Sequence, residues 1–172
     1  MGRVTDLAPA GMVPAAWLVT LGAHAGAVSS RTVLVSLVVM DGLLVAFFLA
    51  SLGEMTGVLR VWQYVIVVGL AATLVGTADM ALVLRSEPLL PVTLYAWMVL
   101  PGLAYFPTGT AHHDRTLRNV YLAGAALSLF GAGLYALGHV GGVSQAVTTV
   151  AGIGVVGVGQ TAGVVVAARQ NA

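Results

Sequence analysis

Hydrophobic residues in this chain fall into long runs separated by short polar breaks. The runs lack the strict alternation of a half-buried strand, and they are too uniformly apolar for the single stripe of a soluble helix. About 20 apolar residues are enough to cross a ~30 Å hydrocarbon layer as a helix. Six runs of this kind are legible, at 11–29, 32–52, 61–84, 88–107, 119–138 and 144–168. The breaks are too short to hold a soluble domain. The expected architecture is therefore all-α: one polytopic integral membrane bundle of six transmembrane helices spanning residues 1–172. Lipid offers the backbone no partners, so each peptide group must find its hydrogen bond within its own helix.

Composition agrees with a lipid solvent. The chain is 59% hydrophobic and 8% charged, with a mean hydropathy of +0.98, whereas a soluble domain carries roughly 25% charged residues. A net charge of +1 gives no bias towards nucleic acid. All seven basic residues are arginine, and without lysine there is no Schiff base to retinal or a carbonyl substrate. Without cysteine, thiol nucleophiles, thiolate metal sites and covalent c-type haem are excluded. This arginine-only usage, rich in Ala, Val and Gly, is expected of a GC-rich prokaryotic genome.

The arginines also predict orientation. If the N-terminus is cytoplasmic, that side carries Arg3, Arg60, Arg115, Arg118 and Arg169, and the other side Arg31 and Arg85. The positive-inside rule then favours both termini inside a cell membrane. Arg115 and Arg118 are the topology anchors. They lie in the most polar stretch of the chain, TGTAHHDRTLRNVY, with Asp114 placed to cap the following helix or pair with an arginine. His112 and His113 are adjacent, so on a helix their rings diverge by about 100°. No Glu or Cys nearby completes a metal site, and no metal is expected. Ala23-His24-Ala25 before Gly26 resembles a signal-peptidase site, but the long preceding segment with Asp6 favours a retained first helix.

Small residues recur at four-residue spacing: Gly124, Ser128, Ala132 and Ala136, then Gly22 with Gly26, and Gly159 with Gly163. Such stripes allow helix backbones to approach closely. They predict packing within the bundle, with contact to a second copy or to another subunit of a membrane complex as the alternative. Gly152-Ile153-Gly154-Val155-Val156-Gly157 matches the dinucleotide-binding spacing only literally, because a preceding strand and a later acid are missing. Pro101 should kink the fourth helix and leave the Trp97 carbonyl without its amide. Ala16-Trp17-Leu18-Val19 is echoed by Ala96-Trp97-Met98-Val99, which would suit an inverted repeat.

Candidate chemistry rests on the ionisable groups within the runs. Asp41 lies near the middle of the second, where a charge costs about 3 kcal/mol on insertion scales. It is expected to face inward, protonated or paired. Asp79 in the third run and His24 in the first lie in the same outer half, with His139 as a weaker candidate at the end of the fifth. These positions predict a proton- or cation-coupled transporter, channel or proton-pathway subunit built around intramembrane carboxylates. One alternative is a b-type haem electron-transfer subunit, with His24 and His139 as axial ligands. The other is a non-catalytic accessory subunit. No serine elbow, zinc helix or phosphotransfer motif points to an enzyme.

Overall fold

The apolar runs fold as helices, and successive helices from the second to the sixth lie against one another. The computed structural model describes residues 3–52, 55–82, 89–140 and 144–170, with side chains from residue 9 onward. Its helices are α1 (Arg3–His24), α2 (Ser30–Ser51), α3 (Arg60–Leu82), α4 (Leu89–Ala111), α5 (Arg115–Val140) and α6 (Gln145–Gln170), with a 3-10 turn at Gly57–Leu59 leading into α3. There is no strand among the described residues. Five helices, α2 to α6, are long and apolar enough to cross a membrane.

The first helix differs from expectation. It ends at His24 instead of running to residue 29. Gly26 adopts a left-handed φ of 73°, with its amide donating to the Ala23 carbonyl at 3.2 Å and the Ala27 amide donating to Gly22 at 2.8 Å. That pair of bonds is a Schellman ending, which glycine takes up without a Cβ penalty. Gly26 therefore terminates α1 and does not extend a packing stripe. Ser29 then starts α2, its hydroxyl accepting from the Thr32 amide at 3.2 Å.

Chain neighbours from α2 to α6 pack side by side, and α1 folds back on to α6. The pairings are antiparallel. Asp41 meets Thr77, Trp62 meets Thr108, and Gly109 lies against Tyr121. α5 and α6 form the tightest seam. A Cβ on Gly131 would sit 2.6 Å from the Gly152 carbonyl oxygen, one on Gly124 would sit 2.9 Å from that of Gly159, and one on Gly138 would reach Thr148 Oγ1 at 2.7 Å. The seam thus uses Gly124, Gly131 and Gly138, a seven-residue repeat, the spacing that keeps one face on a neighbouring helix in a left-handed supercoil. Of the four-residue stripe on α5, Gly124 joins this seam, while Ser128 faces α4, where a Cβ on Gly102 would meet its Cβ at 2.9 Å. Ala132 is buried and Ala136 is half-buried.

The core lies between α1, α4, α5 and α6. Trp17, Met98, Ala132, Tyr135, Ile153 and Val156 form one buried cluster, and Tyr105, Tyr121 and Ala125 a second. α2 stands at the edge, with only Leu44 and Ser51 buried.

Candidate functional site

Asp41 sits midway along α2 and turns towards α3. Its Oδ2 accepts a hydrogen bond from Thr77 Oγ1 at 2.7 Å. Its Oδ1 is buried and meets no partner; among the described residues only Thr149 Oγ1 is likewise buried and unpaired. Nearly all buried polar atoms in folded proteins are hydrogen-bonded, so an exception requires a physical explanation. Here the exception is a carboxyl oxygen at mid-helix depth, with lipid-compatible side chains along most of the helix that carries it.

Other buried polar groups are joined in a network that centres on Gln160. Pro101 has no amide to give the Trp97 carbonyl. Gln160 Nε2 on α6 fills that place at 2.9 Å and also approaches the Met98 carbonyl at 3.4 Å. Its Oε1 accepts from Trp17 Nε1 at 3.2 Å, and its backbone carbonyl from the Tyr105 hydroxyl at 2.7 Å. Trp97 Nε1 continues the chain to Thr73 Oγ1 at 2.9 Å. One amide therefore joins α1, α4 and α6, and Trp97 carries the linkage to α3. The two tryptophans of the sequence echo, Trp17 and Trp97, both bond to this residue. Gln160 was not among the sequence candidates. The available signal was an uncharged polar side chain deep in an apolar helix, opposite a proline on another.

His24 and His139 come together through Tyr135. His24 Nδ1 bonds to the Thr20 carbonyl at 2.9 Å, which fixes the proton on Nδ1 because a carbonyl only accepts. Its Nε2 lies 3.4 Å from the Tyr135 hydroxyl. His139 Nδ1 bonds to the Tyr135 carbonyl at 2.9 Å. The Tyr135 ring touches both imidazoles, with centroids 5.8 Å from His24 and 4.9 Å from His139. A haem would need both Nε2 atoms aimed at one iron from opposite faces of a flat macrocycle. Two imidazoles leaning on a single tyrosine, one beside its hydroxyl, do not fit that group.

Asp79 is half-buried on α3. It follows Thr77 by two positions, so its direction from the helix axis is rotated by about 200° from that of the residue bonded to Asp41. In the 112–118 stretch, Asp114 caps α5 through bonds from the Thr116 amide at 2.7 Å and the Leu117 amide at 3.1 Å. His112 stacks on Tyr121 with centroids 5.2 Å apart, and His113 is exposed. Arg115 is exposed and Arg118 half-buried on the first turn of α5. No group of three or more His, Cys, Asp or Glu gathers among the described residues. No family model, curated protein or solved structure matches this chain.

Proposed function

We propose that this chain is a membrane-embedded proton- or cation-pathway protein with Asp41 as its working group. The supporting observation is the buried, unpartnered Oδ1 beside an Oδ2 held by Thr77. A proton on the carboxyl, or a small cation beside it, supplies the missing electrostatic partner. Thr77 fixes the carboxyl orientation and leaves the other oxygen to exchange. The glycine seam brings the α5 and α6 backbones into contact, so the pathway runs along the α2–α3 side and not through that seam. The chain crosses the membrane six times with both termini inside, and α1 completes the bundle against α6.

The experiment is flux into proteoliposomes under an imposed pH or cation gradient, comparing wild type with Asp41→Asn and Thr77→Val. Asparagine keeps the size and much of the hydrogen bonding but exchanges no proton. Asp41→Asn is expected to fold and to abolish gradient-driven flux, and Thr77→Val to reduce it. A folded Asp41→Asn protein with wild-type flux would refute the reading.

A second reading, a non-catalytic subunit of a larger membrane complex, is favoured by the exposure of α2. Val35, Val38, Val39 and Val45 all lie open on this helix. It predicts that neither wild type nor Asp41→Asn carries flux alone.

A further inference from the structure

At the Arg60 end of the bundle, α2 and α3 border an open groove of about 470 Å³, lined by Phe48, Leu52, Arg60, Gln63, Tyr64 and Val67. Arg60 begins α3 and is exposed, and among the described residues none bonds or ion-pairs with its side chain. Gln63 spends its Nε2 on the Ser51 carbonyl at 3.0 Å, which ties the two helix ends and makes the floor of the groove. Tyr64 is 66% exposed beside it. From Arg60 to Val67 the groove descends about 10 Å along the helix, at a ~1.5 Å rise per residue. Phe48 on α2 lies four positions deeper than Leu52, so the walls become wholly apolar away from the helix ends.

The groove therefore presents a cation and a phenol at the helix ends and an open apolar surface of Phe48, Leu52 and Val67 beside them. We propose that it binds one anionic phospholipid, with the phosphate on the Arg60 guanidinium and an acyl chain along Phe48, Leu52 and Val67. A guanidinium offers paired donors that match phosphate oxygens, and a tyrosine at headgroup depth is at home with one polar and one apolar end. Free phosphate satisfies only the head of this site and leaves its apolar length uncovered. The site is independent of the reading of Asp41.

The test uses the full chain in neutral detergent. Phosphatidylglycerol, phosphatidylcholine and inorganic phosphate are titrated separately, with binding read by native mass spectrometry and by the shift in melting temperature. Wild type is expected to retain phosphatidylglycerol in preference to phosphatidylcholine, with no shift from inorganic phosphate. Arg60→Gln changes an exposed side chain and should weaken phosphatidylglycerol by about tenfold, the order of one charge-assisted pair. Val67→Trp fills the groove while keeping the charge, and should weaken it too. Equal retention of both lipids by wild type, or unchanged phosphatidylglycerol binding by Arg60→Gln, overturns the proposal. A shift from inorganic phosphate equal to that from the lipid overturns the acyl-chain half of it.

Discussion

Three glycines in the α6 string Gly152-Ile153-Gly154-Val155-Val156-Gly157 occupy three different environments. A Cβ on Gly152 would lie 2.6 Å from the Gly131 carbonyl and 2.8 Å from the Tyr135 amide, both backbone atoms that cannot swing aside. A Cβ on Gly157 would meet the Trp17 side chain at 3.1 Å, and one on Gly154 would meet nothing within 4 Å. Gly152→Ala should therefore destabilise the bundle by about 1–3 kcal/mol, the usual scale of overpacking, while Gly154→Ala should leave thermal stability in detergent unchanged. Equal melting temperatures for the two variants would mean that the α5–α6 seam is looser than described. The sequence spacing made these glycines legible as packing residues, since no strand precedes them, but spacing does not say which of the three touches a backbone. Asp41 was legible for a similar reason: a carboxylate in an apolar run demands an explanation. Its Thr77 partner and its orphan oxygen depend on how α2 is rotated against α3, which no local pattern encodes.

At the scale of the element, α4 shows how a defect in one helix is repaired by another. Pro101 leaves the Trp97 carbonyl unpaired, and Gln160 of α6 supplies the missing donor. Gln160→Leu should cost about 1–3 kcal/mol for each buried group left without a partner. Pro101→Ala restores an amide to the same carbonyl, so the cost of Gln160→Leu should shrink in that background. A double-mutant cycle in thermal or denaturant unfolding checks this, and strict additivity would show that the two residues do not share the acceptor. The loss of the amide opposite the Trp97 carbonyl was readable from Pro101 alone. The role of Gln160 was not, because it exists only once α4 and α6 are side by side. The limits of α2 through α6 came within a few residues of their apolar runs, because lipid rewards an unbroken helix and penalises any other backbone. The limit of α1 was missed because Gly26 carries two meanings in sequence, a small packing residue and a left-handed stop, and only φ distinguishes them.

At the scale of the whole molecule, the antiparallel pairings place the starts of α3 and α5 and the end of α6 at one end of the bundle, with Arg60, Arg115, Arg118 and Arg169. With that end cytoplasmic, a reporter fused after Ala172 should read as cytoplasmic and one inserted at 140–144 as external. Neutralising Arg115 and Arg118 together should disturb orientation more than neutralising Arg31 and Arg85, and the reverse labelling pattern would invert the assignment. The all-helical class and the apolar length of α2 to α6 were legible, and so was the shared outer half of His24 and His139; their common contact with Tyr135 was not, since it depends on α1 folding back beside the last helices. That return of α1 also sets a timetable for synthesis. A ribosome releases α1 well before α6, yet α6 is the main neighbour of α1. α1 must therefore wait, its Trp17 indole without the Gln160 amide, until α6 emerges. A chain stopped before α6 should leave α1 open to membrane proteases and quality control, while the α2–α3–α4 series, already paired in order, should persist as a protected fragment.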